Sequence, residues 1–193
     1  VIAFALIFSY ACHELGDYVF QSDWMANEKT KKHLPALAHA VVYTLMFVPL
    51  VFFGASWTAL AVIGSTHFLI DRYRLARYVC WAKNILAPRF SRLDKTFTIT
   101  IPLSQMFQRG DILDLTVQGE AGTKPYEVTR LVDAYTANVE EIQVWRHPWK
   151  ECAGTGYHHS RPPWMAVWLM IRADNALHMT INLLSLYLLR NLP

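Results

Sequence analysis

Three histidine–aspartate pairs, each spaced by four residues, interrupt the longest apolar stretches of this chain: His13 and Asp17, His67 and Asp71, and Asp174 and His178. On a helix, positions i and i+4 lie one turn apart on the same face. Each pair therefore presents an imidazole and a carboxylate side by side. An aspartate placed in an apolar environment costs several kcal/mol, roughly 2.5 or more at the centre of a bilayer, and is kept there only with a partner. One such pair arises easily by chance. Three on separate apolar segments constrain the fold to bring them together.

The apolar stretches run approximately from Ile2 to Met25, Leu34 to Phe53, Trp57 to Trp81 and Trp164 to Leu189. Each has the ~20 residues that a helix needs to cross a bilayer. Gly54-Ala55-Ser56 reads as a turn, and Pro162-Pro163 as a helix start. Only the second stretch is nearly free of charge. The 193 residues are 53% hydrophobic and 17% charged, whereas soluble domains are about 45–50% apolar and about 25% charged. Mean hydropathy is only +0.18, so a sizeable part of the chain faces water. A soluble bundle of buried helices is the competing reading; the apolar run Val41 to Phe53, with Pro49 inside it, favours the membrane. Residues 1–12 lack the basic flank of a cleaved signal and read as a retained helix. The balance of 18 Lys+Arg against 15 Asp+Glu excludes the strongly basic surface of a nucleic-acid binder. Cys12, Cys80 and Cys152 are too scattered for a zinc knuckle or a disulfide framework.

Between Thr96 and Ser160 the pattern changes. Thr96 to Ile101 alternates polar and apolar residues, and Ile112 to Val117, Tyr126 to Val132 and Val139 to Trp145 read as further strands, with a turn at Gly119-Glu120-Ala121-Gly122. The fold expected is mainly α: a four-helix transmembrane bundle with a small antiparallel, barrel-like β insertion between the third and fourth helices. Its parts are helices one to three in residues 1–95, the insertion in 96–160, and the fourth helix in 161–193. Lys29, Lys31 and Lys32 precede the second helix, a further run of basic residues follows the third, and the turn at Gly54 has none. The positive-inside rule then places both basic connections and the β insertion in the cytoplasm, and both termini outside, in a plasma membrane. Trp24, Trp57, Trp81 and Trp164 fall near helix ends as interfacial anchors, and His33, His147, His158 and His159 fall in loops.

With His39 from the second helix, the candidate metal ligands are His13, Asp17, His39, His67, Asp71, Asp174 and His178. Imidazole and carboxylate without thiolate suit a divalent metal, zinc first, then manganese or iron. Seven candidates suffice for two metals, or for one metal whose histidines are oriented by further carboxylates. Asp23 is a candidate catalytic base. An open coordination position would activate water for hydrolysis. Without metal, the same pairs would lock the helices by interhelical hydrogen bonds. Haem does not call for an aspartate one turn from its histidines.

The segments HELGDYVFQSDWMANEKTKK, LAHAVVYTL, STHFLIDRYRL and ADNALHMTINLLSLYLL resemble an uncharacterised membrane family of bacteria and their phages, the domain of unknown function 3307. The stretch GTGYHHSRPPWMAVWLMI is similar to phage-encoded members. More distantly, the pattern resembles membrane-bound metal-dependent hydrolases. The resemblance implies that His13, Asp17, Asp23, His39, His67, Asp71, Asp174 and His178 are the family's polar positions; it implies no assigned activity. The expectation is an integral membrane protein with an intramembrane His/Asp metal site, hydrolysing a lipid-linked or amphipathic substrate and meeting membrane lipid. Two alternatives stand beside it. One is a non-enzymatic phage-encoded protein whose polar cluster is structural and whose β insertion binds a host protein. The other is a metal or ion transporter working as an oligomer. No nucleic-acid partner is expected.

Overall fold

The structure, a computed structural model, describes residues 2–100, 107–116, 123–133 and 135–189. They form two compact units, Val1–Ala82 with Trp149–Pro193, and Lys83–Pro148.

The first unit is helical. Helix α1 (Ile2–Glu14) runs directly into a π-helical turn, Leu15–Val19. Helix α2 (Asp23–Glu28) is capped by Ser22, whose hydroxyl accepts a hydrogen bond from the Met25 N–H at 3.3 Å. Helix α3 (His33–Phe47) continues as a 3-10 turn to Phe53 and stops at Gly54, whose φ of +97° is the left-handed conformation that glycine adopts without strain. Ser56 caps α4 (Trp57–Tyr73) through the Ala59 N–H at 3.0 Å. Arg74, at φ 52°, ends α4 and turns the chain into α5 (Leu75–Ala82). After the short α6 (Trp149–Cys152), α7 (Pro163–Leu188) begins with Pro at its first position, where the missing N–H costs nothing. Cys12, Tyr43, Phe47, Leu50, Leu60 and Ile63 form one apolar core among α1, α3 and α4, and Cys80, Tyr157 and Ala166 form a second.

The second unit is a four-stranded antiparallel sheet of order β1-β4-β3-β2, with β1 Phe90–Thr100, β2 Ile112–Thr116, β3 Thr123–Leu131 and β4 Thr136–Val144. Tyr126, Val128, Ala137 and Val139 are buried on one face. Where β1 pairs with β4 the register shifts between Arg92 and Thr96, and Asp94 there has φ 57°. The expected turn at Gly119–Gly122, with Ile101 and Val117, lies outside the described residues.

The expected four-helix transmembrane bundle with a barrel-like insertion is not what forms. Seven α-helices are present among the described residues, and the sheet is open, with β1 and β2 at its edges. The first apolar stretch is interrupted after Val19, where the π turn ends, and the third at Arg74. Helix α7 is long, but Arg172, Asp174, Asn175 and His178 run through its middle. Among the described residues, only His33–Phe53 is long and apolar enough to cross a membrane, with a mean hydropathy of 2.1. Just 33% of it is buried, and the core helix of a soluble protein passes the same test of length and composition. Hydropathy averages over side chains; here the polar ones in the middle of the stretches are consumed by an internal cluster, which a one-dimensional scan does not see.

Candidate metal centre

Four donor atoms from three elements converge inside the helical unit. The π turn supplies Asp17, α3 supplies His39, and α4 supplies His67 and Asp71 one turn apart. His39 Nε2 lies 3.0 Å from Asp17 Oδ1, 3.1 Å from Asp71 Oδ2 and 2.9 Å from His67 Nε2. His67 Nε2 lies 3.2 Å from Asp71 Oδ2 and 3.9 Å from Asp17 Oδ1. A tetrahedron of donors with metal bonds of about 2.0–2.1 Å has edges of about 3.3–3.4 Å. The cluster brackets that value. His39 and His67 are at most 1% exposed, and Asp17 and Asp71 5%.

Hydrogen bonding alone does not account for this crowding. A ring nitrogen has one hydrogen or one lone pair. His39 Nε2 nevertheless has four polar neighbours within 3.1 Å, because Lys29 Nζ is also 3.0 Å away. Asp71 Oδ2 has Lys29 Nζ at 2.8 Å and two imidazole nitrogens within 3.2 Å, yet no hydrogen bond of acceptable angle reaches it. Buried donors and acceptors normally find aligned partners. More polar atoms gather here than hydrogen bonds can serve, a grouping that could hold a metal ion.

The local fold explains the convergence. A π turn adds a residue to the helical repeat and is common at functional sites. At Leu15–Val19 it comes between His13 and Asp17, whose Nε2 and Oδ2 are 4.0 Å apart. Asp17 therefore meets His39 more closely than its own helical neighbour. Gly16 permits the approach, since a Cβ there would stand 2.8 Å from Tyr43 Cδ2. The Tyr43 ring stacks on His67 at 3.6 Å between centroids. Its hydroxyl accepts a hydrogen bond from Asn182 Nδ2 at 2.7 Å and lies 2.9 Å from His13 Nδ1.

A second group, Asp17, Asp174 and His178, shares Asp17 with the first. His178 Nε2 is 3.4 Å from both Asp71 Oδ1 and Asp174 Oδ2, while His178 Nδ1 is 3.1 Å from His67 Nδ1. That last distance restricts the ligand set. Two neutral imidazoles that both bind metal through Nε2 both carry hydrogen on Nδ1, and two N–H groups cannot face each other at hydrogen-bond distance. With His67 as ligand, its Nδ1–H donates to His178 Nδ1, and the His178 Nε2–H donates to Asp71 or Asp174. His178 is then the partner that orients His67, a recurrent arrangement around metal sites. His13 Nε2 is buried without a hydrogen-bond partner, beside the second group.

In the ion-free protein, electrostatics favour ionised carboxylates beside a neutral His67. Burial pushes the Asp17 carboxyl up, but the His39 hydrogen bond and the Lys29 charge outweigh it and hold Asp17 below the carboxylate range. Burial opposes ionisation of Asp71 too, yet His67, His178 and His39 hold it well below. Burial lowers His67 to about 4, leaving it neutral and free to coordinate. In the ion-free protein burial would lower His178, but its hydrogen bonds to Asp174 and Asp71 raise it to about 9; a metal on His67 Nε2, which leaves the His67 hydrogen on Nδ1, then requires His178 to give up its own Nδ1 proton.

Lys29 is the site residue that sequence reading missed. Its Nζ lies 3.3 Å from Asp17 Oδ1 and 2.8 Å from Asp71 Oδ2. Burial works against its charge, but Asp71 and Asp17 raise its pKa above the ordinary lysine value. In sequence it is one of three similar lysines. Lys31 and Lys32 pair instead with Glu28, at 3.2 and 2.8 Å. Arg72 positions the segment by donating to the Thr30 carbonyl at 2.9 Å. Asp23 lies apart from the cluster, exposed in the first turn of α2. His33 begins α3 and stacks on Phe68, and His158 lies 3.6 Å from Glu151.

A cavity of about 520 Å³ adjoins the cluster, and Asp17, Lys29, Asp71, Arg74 and Asp174 are among the residues that line it. The helical unit is thus a bundle with a buried carboxylate–imidazole cluster that could hold a metal ion and that opens onto a cavity. Residues 4–97 match the family described as a protein of unknown function, DUF3307, and this segment belongs to it. The match takes in Asp17, Lys29, His39, His67 and Asp71, and ends before α7 with Asp174 and His178. No curated protein matches the chain, nor does any solved structure.

Proposed function

We propose that the helical unit binds one divalent metal ion, zinc in preference to manganese or iron, through Asp17, His39, His67 and Asp71, and uses it for hydrolysis. The crowding of four polar atoms around His39 Nε2 carries this reading. His178 and Asp174 orient the ligands. A metal ion with an open position lowers the pKa of a bound water to about 7. Four protein ligands would close a tetrahedral zinc site, whereas catalytic sites keep a place for water. What favours catalysis is that Asp17 and Asp71 also line the cavity, and that Asp17 stands off from His67, at 3.9 Å.

The same reading places the unit in a bacterial plasma membrane, with His33–Phe53 as the spanning helix and the sheet unit in the cytoplasm. Leu37, Val41 and Leu45 repeat every four residues along α3 and are exposed, as are Trp24, Trp57 and Trp164. An apolar stripe with tryptophans at helix ends suits lipid. The substrate is then amphipathic.

A metal-free cluster locked by Lys29 is the second reading, favoured by the ammonium already standing on both carboxylates. Elemental analysis of detergent-purified protein decides between them. Near-stoichiometric metal in the parent, lost in a His67→Ala, Asp71→Ala variant, supports the metal centre. A parent that holds no metal and takes up none when offered zinc sinks the hydrolase and leaves the lysine lock.

A further inference from the structure

The cavity beside the cluster is lined both by charged side chains, Lys29 and Arg74 with Asp17, Asp71 and Asp174, and by apolar ones, Met170 and Ile171 among them. Lys29 Nζ is 2.8 Å from Asp71 Oδ2, so the ammonium stands beside the proposed metal position on its cavity side. Arg74 is held by unusual backbone: at φ 52° it adopts the left-handed conformation that side-chain-bearing residues seldom take. One guanidinium nitrogen donates to the Gly154 carbonyl at 2.9 Å and touches Met170 Sδ at 3.7 Å, anchoring the side chain along the cavity wall. Strain of this kind persists where the surrounding structure fixes it, and it collects at ligand sites.

Formal charge decides what fits. Three carboxylates against one lysine and one arginine leave the charged lining at −1. A divalent ion turns it to +1, in a partly enclosed space where charges interact more strongly than in water. A metal, an ammonium and a guanidinium around one cavity suit a group with several anionic oxygens. A carboxylate offers two such oxygens, and a phosphate monoester three. Met170 and Ile171 add apolar surface to the same cavity, which suits hydrocarbon.

We infer that the cavity takes a phosphate ester carrying an apolar chain, its phosphate held by the metal centre, Lys29 and Arg74 and its chain along Met170 and Ile171. This rests on the metal-centre reading, because without the ion the net negative lining repels anions.

The phosphate could belong to a lipid-like ester or be free in solution, and titration calorimetry in dodecyl maltoside distinguishes the two. The zinc-loaded protein is titrated with dodecyl phosphate, inorganic phosphate and dodecyltrimethylammonium, with zinc content measured on the same samples. Dodecyl phosphate is expected to bind saturably, about tenfold or more tighter than inorganic phosphate, given about 0.8 kcal/mol per buried CH₂, and the cationic amphiphile not at all. Lys29→Met and Arg74→Ala each weaken dodecyl phosphate by roughly tenfold, the effect of losing one hydrogen bond to a charged group, while zinc is retained. Ile171→Asp weakens dodecyl phosphate and leaves inorganic phosphate unchanged. Equal affinity for both phosphates would overturn the apolar half of the inference. Protein that holds zinc and binds neither phosphate overturns the ligand class alone. Protein that holds no zinc and binds no phosphate overturns the metal centre together with it.

Discussion

Replacing Lys29 by methionine keeps the side-chain length and removes the charge that balances Asp17 and Asp71. Those carboxylate side chains are 6% and 3% exposed, and that of the lysine 15%, so solvent screens the loss only weakly. Removing one partner of a buried ion pair costs about 3–5 kcal/mol, since the other charge remains in a poor environment. For a protein of this size, a change of 1 kcal/mol moves the melting temperature by roughly 2–4 °C. In chelator the variant should therefore melt roughly 6–20 °C below the parent. Zinc should reverse much of this. An ion at one hundred times its dissociation constant stabilises by about 2.7 kcal/mol, and removing the neighbouring ammonium strengthens zinc binding by Coulomb's law. The assay is thermal unfolding of both proteins in detergent, with chelator and with a zinc series. Two results would refute the reasoning: a variant that melts with the parent in chelator, showing that the lysine balances nothing, or a zinc shift no larger in the variant than in the parent, showing that ion and ammonium do not meet the same carboxylates.

Three further outcomes follow from the same contacts. His178→Asn should weaken zinc by about 10–100-fold through loss of the group that orients His67, whereas Asp23→Asn, exposed in α2, should leave zinc affinity unchanged; competition with a chromogenic chelator reads both. In the metal-free protein the two histidines give opposite pH slopes. The stability held by His67, depressed to about 4, is present above the unfolded value of about 6.5 and is lost as pH falls to about 4. That held by His178, raised to about 9, is present below about 6.5 and is lost as pH rises through about 9. Urea titrations across pH should thus find maximum stability between those limits, and a monotonic profile would contradict the pairing. Gly16→Ala sets a Cβ 2.8 Å from Tyr43 Cδ2, which should cost about 1–3 kcal/mol as overpacking and lower zinc occupancy by displacing Asp17, both measured on one purified sample.

The spacing of His67 and Asp71 was enough to place both on one face of a helix, because α4 is regular between them. The same holds for Asp174 and His178 on α7. Alternation of polar and apolar residues located the strands, whose edges moved by a few residues: β1 starts at Phe90 and β4 ends at Val144. His39, one histidine on an apolar helix, had no local pattern to distinguish it and was read from its place among the pairs.

Other features were decided only in three dimensions. The same i, i+4 rule brings His13 and Asp17 only to 4.0 Å, because the π turn changes the helical repeat between them. The division of the apolar stretches depended on backbone breaks after Val19 and at Arg74 that hydropathy does not encode. Lys29 resembles Lys31 and Lys32 in sequence; only the return of α4 past α2, with Arg72 on the Thr30 carbonyl, turned one of the three into the cluster. The choice between His67 and His178 as ligand rests on a distance of 3.1 Å between residues on different helices. Spacing along one element is fixed by local geometry and can be read from one dimension, whereas the identity of a counter-ion or a ligand is a property of several elements packed together.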